Sequence, residues 1–126
     1  MQADQQRSYR AHTNGPSGVV RDPLYFQKPE PMDMDDVREV IKAFGHVARR
    51  AEEAGADPIQ LHAAHGYLLN QFLSPFFDKR DDDWGGSDEK RFNLLKLVVL
   101  EVKKHLSKDF PIMIKLNTSD LPRRKE

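Results

Sequence analysis

The sequence contains no cysteine among its 126 residues. This excludes disulfide bonds, thiolate nucleophiles and cysteine metal ligands together, and it suits a reducing compartment. No apolar run approaches the roughly 20 residues that a membrane-spanning helix needs, and the polar N-terminal residues lack the apolar core of a secretory signal. We therefore expect a cytoplasmic protein that does not bind membranes.

The chain also lacks an excess of charge of either sign. It has 20 Lys and Arg residues against 20 Asp and Glu residues, so its formal net charge is zero. A balanced charge gives no general attraction to polyanions, and we expect no nucleic-acid partner. The length is that of one ordinary domain.

Glycine, proline and polar residues dominate residues 1–32, which show no sustained apolar period. This composition predicts a loop-rich N-terminal segment. The patterned part of the chain follows as a central unit over residues 33–120, and residues 121–126 form a polar tail.

Two helices and two strands are predicted in the central unit. Apolar residues at steps of three and four predict helices over about 34–54 and 88–105, with Asp33 and Ser87 as N-caps. The short apolar segments "PIQLH" and "FPIMIKLN" predict strands, the second of them covered on both faces. Alternating helices and strands are typical of an α/β fold with parallel strands.

His62, His65 and Tyr67 lie close together at the end of the first predicted strand. On a continuing strand the two histidine side chains would point to opposite faces. They converge only if the strand ends at His62 and the chain turns through Ala63 to Gly66, which the glycine permits. Sites in parallel α/β folds are built at the carboxyl ends of strands, so the position favours a functional role.

Taken alone, the histidine pair has three explanations. The imidazoles could satisfy backbone groups at a strand end, take part in catalysis, or bind a metal. Zinc sites need three or four ligands, and no third ligand is evident at a helpful spacing. The residues by themselves leave these alternatives open.

Longer segments resemble a known family. "IQLHAAHGYLLNQFLSP", followed by "KRDDDWGGSDEKR" and then by "DFPIMIKLN", resembles the old yellow enzyme family of FMN-dependent ene reductases and NADH:flavin oxidoreductases. The upstream segment "AFGHVARRAEEAGADP" is similar to the helix that precedes this motif in the family. The resemblance extends from about residue 15 to residue 118.

The resemblance implies an α/β fold that is a fragment of a (β/α)8 TIM barrel, from after strand 3 to the end of strand 5. It implies that FMN binds at the carboxyl face of the strands. The residues that match His62 and His65 in the family donate hydrogen bonds to the carbonyl or nitro oxygen of a substrate lying over the flavin. The residue that matches Tyr67 lies where it can protonate the substrate carbon next to that carbonyl. Lys115 falls where many members have an arginine beside the flavin N1 and O2 atoms.

The activity implied by the resemblance is hydride transfer from NAD(P)H through FMN to an activated alkene or a similar electron-poor small molecule. No metal is expected. Because a complete barrel of this kind needs about 250 residues, there is an alternative hypothesis. It is a truncated, non-catalytic fragment that acts only through self-association or by binding a partner such as a complementary barrel fragment.

Overall fold

A computed structural model describes residues 14–18 and 28–119. Among these residues are three helices and four strands. In chain order they are β1 (Asn14–Gly15), β2 (Glu30–Pro31), α1 (Met34–Glu53), β3 (Ile59–Ala63), α2 (Leu68–Leu73), α3 (Asp88–His105) and β4 (Ile112–Leu116). The two long helices and the two five-residue strands confirm the predicted elements, whereas α2 was not predicted.

Helix α1 begins where its sequence provides a cap. One carboxylate oxygen of Asp33 accepts hydrogen bonds from the backbone N–H groups of Asp35 and Asp36, both at 2.8 Å. The Asp36 carboxylate accepts one in return from the Asp33 N–H at 3.0 Å. This reciprocal capping box satisfies donors that the first helical turn leaves unpaired. Gly55, at a φ of 88°, takes the left-handed conformation that often follows a helix.

Strands β3 and β4 pair in parallel, in a continuous register from Ile59 opposite Ile112 to Ala63 opposite Leu116. The parallel arrangement confirms the prediction. Helices α1 and α3 pack against each other and form the core with β3 and α2. The buried hydrophobic cluster consists of Met32, Val37, Ala48, Leu61, Ala63, Leu69, Phe72, Trp84, Leu94, Leu95, Val98, Val102 and Leu106.

The prediction that the second strand is covered on both faces is wrong for the part of the chain that the structure describes. Met113, Ile114 and Leu116 of β4 are all exposed. An apolar run favours a strand, but burial requires other elements to pack on that strand. Of the described elements, the long helices cover β3 and reach only the beginning of β4, where Ile112 packs against the core.

The N-terminal segment is described only in part. Residues Asn14–Gly15 pair in parallel with Glu30–Pro31, and this two-residue ladder is the regular structure described before α1. The rest of the predicted loop-rich segment and the predicted tail over 121–126 lie outside the described residues. Within the described ranges, no helix is long and apolar enough to cross a membrane.

Candidate active site

The site begins at the carboxyl end of β3. The strand ends at Ala63, one residue later than expected, and Ala63 and Ala64 are fully buried. His62 lies on the opposite face from Leu61 and Ala63, because side chains alternate along a strand. The buried alanines thus fix the strand end from the helix side and leave His62 on the face that the helices do not cover.

Two consecutive residues then reverse the chain. His65 has a φ of 60° and Gly66 a φ of 77°. Glycine adopts this left-handed region freely, but for a residue with a Cβ it costs about 1–2 kcal/mol. The sequence suggested that the glycine would allow the turn. The structure places part of the strain on His65 itself, a histidine predicted to belong to the site.

The reversal brings the three predicted side chains together. The ring centroids of His62 and His65 are 5.0 Å apart with perpendicular planes, and those of His62 and Tyr67 are 4.8 Å apart at 59°. The Nδ1 atom of His62 is buried and has no hydrogen-bond partner within the described residues. Tyr67 is 49% exposed. The cluster therefore combines an unused imidazole nitrogen with a phenol that a ligand can reach.

Lys115 lies beside this cluster on the neighbouring strand. It is directly opposite His62 in the parallel register, so both side chains emerge from the same face of the sheet. Lys115 is exposed. The structure therefore brings the lysine to the same end of the strand pair as the two histidines and the tyrosine.

Sequence reasoning missed three amide side chains that hold the turn. The Oδ1 atom of Asn117 accepts a hydrogen bond from the His65 N–H at 3.1 Å, and that of Asn70 accepts one from the Gly66 N–H at 2.8 Å. The Nε2 atom of Gln71 donates to the Gly66 carbonyl oxygen at 2.8 Å. A usable signal was present for Asn117, since it follows a predicted strand at the same sheet edge as the histidines.

A second polar cluster lies in the loop before α3. The Arg80 guanidinium donates to the carbonyl oxygens of Pro16 at 2.9 Å and Met32 at 2.7 Å, and it forms an ion pair with Asp82 at 2.6 Å. The hydrogen bond from Arg80 lowers the pKa of Asp82, whereas burial raises the pKa of Asp78. These contacts join the loop to the N-terminal segment and to the residue before the cap of α1.

Among the described residues, no group of three or more His, Asp or Glu side chains is arranged to hold a metal ion. The two histidines of the cluster are accompanied by Tyr67 and Lys115, neither of which is a usual zinc ligand.

Solved structures define the class of protein to which this arrangement belongs. The chain matches morphinone reductase with a TM-score of 0.71 and 27% identity, covering 81% of this chain and 31% of that one. It matches a 2-naphthoyl-CoA reductase in complex with 2-naphthoyl-CoA with a TM-score of 0.75 and 29% identity, covering 80% of this chain and 15% of that one. The chain is thus an α/β unit that aligns with part of a TIM-barrel reductase.

Sequence comparison gives the family. The profile of the NADH:flavin oxidoreductase / NADH oxidase family matches residues 2–125. An NADPH dehydrogenase of Clostridium acetobutylicum is 45% identical over 92 residues, which are 73% of this chain and 27% of that protein. One from Bacillus licheniformis is 42% identical over 106 residues, 84% of this chain and 30% of that protein. The chain belongs to this family, which is the old yellow enzyme family that the sequence motifs resembled.

Two further facts follow from the comparisons. The family consists of FMN-dependent NAD(P)H oxidoreductases that act on small molecules. The chain spans less than a third of the length of the NADPH dehydrogenases that it matches.

Proposed function

We propose that the chain is the central part of an FMN-dependent oxidoreductase that transfers hydride from NAD(P)H, through FMN, to an activated alkene or a similar electron-poor small molecule. The observation that carries the proposal is the convergence of His62, His65 and Tyr67 at the carboxyl end of β3, where the ring centroids of His65 and Tyr67 lie 5.0 Å and 4.8 Å from that of His62. The names of two structural relatives, a morphinone reductase and a 2-naphthoyl-CoA reductase, support reduction of such a substrate.

The proposal includes a place in the barrel. Residues 33–120 form the unit from after strand 3 to the end of strand 5, so that β3 and β4 are barrel strands 4 and 5. Residues 1–32 and 121–126 flank this unit. The parallel pairing of β3 and β4 with α3 as their connection supports this assignment, because strand, helix and parallel strand form the repeating unit of such barrels. We propose a cytoplasmic location, in agreement with the absence of cysteine.

The residues at the sheet end fit a bound flavin. Lys115 is an exposed cation opposite His62, suited to the electron-rich N1 and O2 edge of the ring, and the His62 Nδ1 atom has no partner within the described residues. When bound, FMN supplies the hydride chemistry that links NAD(P)H to the substrate. Lys115 would stabilise negative charge at that ring edge, although an ammonium group lacks the planar fork of arginine.

The two histidines bind the substrate oxygen. Negative charge develops on that oxygen when hydride reaches an activated alkene, and two fixed N–H donors stabilise it. Donors held in place before the reaction do not need to reorganise during it. For this reason the loss of one such donor typically costs about a hundredfold or more in rate.

Tyr67 supplies the proton. A phenol keeps its proton at neutral pH until a strongly basic carbon forms, which makes it a suitable acid for the carbon next to the carbonyl. Its ring lies against that of His62 at a centroid distance of 4.8 Å, so the acid and an oxygen donor are held next to each other. Oxygen binding and protonation can therefore act on one substrate, at its carbonyl oxygen and at the carbon next to the carbonyl.

The first test is the visible spectrum of the purified chain before and after addition of FMN, with free flavin removed. We expect a retained flavin band that weakens in Lys115→Met. Lys96→Met is the matched control, since Lys96 is an exposed lysine on α3. A colourless wild-type protein after FMN treatment would contradict the proposal for this chain.

Kinetics then test the individual roles. With a small α,β-unsaturated ketone as substrate, His62→Ala and His65→Ala should each lower kcat by about a hundredfold. Tyr67→Phe should slow protonation, with a smaller effect on substrate binding. His46→Ala, an exposed histidine on α1, should leave activity unchanged. Equal rates for the wild type and Tyr67→Phe would remove the proton-donor role.

The alternative function, a non-catalytic fragment that associates with another chain, is favoured by a different observation. Ile114 and Leu116 are exposed on one face of β4 and form an apolar surface of the kind that proteins usually cover. Sedimentation at increasing concentration tests this function for self-association, and mixing with a complementary barrel fragment tests it for partner binding. A monomer that unfolds cooperatively and does not bind the complementary fragment would contradict the alternative function.

A further inference from the structure

The left-handed turn at His65 and Gly66 is held by side chains from two other elements. Asn117 follows β4 and accepts the His65 N–H, while Asn70 of α2 accepts the Gly66 N–H. The Nδ2 atom of Asn117 donates to Asn70 Oδ1 at 3.3 Å, so these two side chains, called here the amide pair, also contact each other. One continuous set of hydrogen bonds thus joins β4, the turn and α2.

The backbone determines how both amides are oriented. Each backbone N–H of the turn can only donate, so each asparagine must present its oxygen to it. With both oxygens fixed in this way, the NH2 group of Asn117 is left to donate to Asn70. An aliphatic residue at position 117 would leave the His65 N–H without this acceptor.

The turn needs such support because His65 is not a glycine. Its φ of 60° lies in a region that is unfavourable for any residue with a Cβ. A single non-glycine residue remains there when its surroundings hold it. Asn70 is buried, and Gln71 closes the turn from the same helix by donating to the Gly66 carbonyl. Of the amides that hold the turn, Asn117 is the one that directly follows the strand carrying Lys115.

We propose that Asn117 is a positioning residue. By accepting the His65 N–H and contacting Asn70, it holds the turn in the left-handed conformation and fixes the His65 imidazole relative to His62 and Lys115. Asn117 follows Lys115 by two positions, so the end of β4 carries the cation proposed for the flavin and is followed directly by the amide that orients an oxygen donor. The catalytic meaning of this inference rests on the proposed function, whereas its structural content does not.

Nuclear magnetic resonance of the isotope-labelled 126-residue chain tests the inference without flavin. In Asn117→Ala, hydrogen exchange of the His65 amide should accelerate by roughly tenfold, as expected for the loss of one hydrogen bond. The HN–Hα coupling and the 13Cβ shift of His65 should move away from left-handed values. Asn117→Asp keeps an oxygen acceptor, so it should largely restore both properties.

Two further variants keep the test decisive. Asn93→Ala is the matched control, because the Asn93 amide also bonds to a backbone group, donating its Nδ2 to the carbonyl oxygen of Asp83 at a place remote from the turn. Asn117→Gln keeps the amide but displaces its oxygen by one methylene, and it serves if the alanine variant does not fold. His65 parameters that stay at wild-type values in Asn117→Ala, or in Asn117→Gln when the alanine variant does not fold, would overturn the inference.

The two proposals fail in different ways. Wild-type protein that retains no FMN would reject the proposed function and leave the response of the His65 turn to Asn117 substitutions unaffected. A turn that does not respond to those substitutions would reject the positioning role even if flavin binds. In a flavin-containing preparation, Asn117→Asp should recover most of the kcat that Asn117→Ala loses, which a merely destabilising substitution would not do.

Discussion

Strands β3 and β4 have the same length and pair residue by residue, yet their surroundings differ. Leu61 of β3 is 5% exposed, while its register partner Ile114 is 41% exposed. Ala63 is fully buried, and its partner Leu116 is 57% exposed. The difference arises because α1 and α3 lie over β3 and not over most of β4. Apolar residues determine that a segment is a strand, and the neighbouring elements determine whether it is buried.

The largest loss of stability is expected when one of two register partners, Leu61 and Ile114, is replaced. Leu61→Ala removes buried methyl groups and should lower the free energy of unfolding by about 2–5 kcal/mol. Ile114→Ala, on the same face but largely exposed, should lower it by less than about 1 kcal/mol. Urea unfolding of both variants measures the two values. Equal losses would show that β4 is covered in solution, and the contrast between the strands would disappear.

The next largest loss of stability is expected where α1 and α3, the helices over β3, pack against each other. A Cβ added at Gly45 of α1 would lie 2.6 Å from His105 Cδ2 and 3.0 Å from Glu101 Cγ on α3. Such overpacking costs about 1–3 kcal/mol, partly offset by about 0.5–1 kcal/mol from the better helix propensity of alanine. Gly45→Ala should therefore destabilise the chain by about 1 kcal/mol.

The His105→Ala background is the control for this prediction. With the ring removed, Gly45→Ala should become neutral or stabilising, and a double-mutant cycle from urea unfolding measures the coupling. If the two substitutions are additive, the helices over β3 are not held in contact at this point.

Two carboxylates in the loop before α3, those of Asp82 and Asp78, should make the stability of the chain depend on pH. The Arg80 hydrogen bond lowers the pKa of Asp82 below its ordinary 3.8. Ionised Asp82 therefore stabilises the folded state above pH 3.8, and this stabilisation is lost as the pH falls through the pKa of the folded state. Burial raises the pKa of Asp78, so the native state favours the protonated form and loses stability as pH rises from about 3.8.

The corresponding amide variants should respond to pH in opposite directions. Relative to the wild type, Asp82→Asn should be less stable at neutral pH, with a difference that shrinks on acidification. Asp78→Asn should gain stability relative to the wild type as pH rises. Urea unfolding between about pH 3 and pH 7 measures both trends, and parallel profiles for the two variants would contradict these assignments.

The smallest effect on stability is expected on β4. Leu116→Lys places a charge on an exposed position and should change the free energy of unfolding by no more than about 0.5 kcal/mol. It should nevertheless reduce any concentration-dependent association measured by sedimentation, because it interrupts the apolar surface of the strand. A large loss of stability instead would show that this side of β4 packs against part of the chain.

The sequence predicted those features that local chemistry determines. Asp33 and Ser87 cap the two long helices as expected. The two histidines and Tyr67 lie together after a turn at the strand end, as the sequence allowed, although the strand ends at Ala63 and not at His62. Each of these features depends on residues that are near one another in the chain.

The features that could not be predicted depend on distant parts of the chain. The exposure of β4 depends on which elements cover it, and a strand's own residues do not specify them. The left-handed φ of His65 depends on Asn117, which is 52 residues away. Arg80 contacts carbonyl oxygens 64 and 48 residues away. Side-chain patterns do not reveal such bonds to backbone groups.

The His65 turn has a consequence for protein engineering. The proposed oxygen donors and proton donor, together with Asn70 and Gln71, form one short continuous stretch of sequence, and Asn117 is the distant residue bonded to the turn backbone. Such a stretch is suited to transplantation. Grafting residues 62–71 onto another parallel barrel, with an asparagine at the matching strand end, would transfer the turn together with its support.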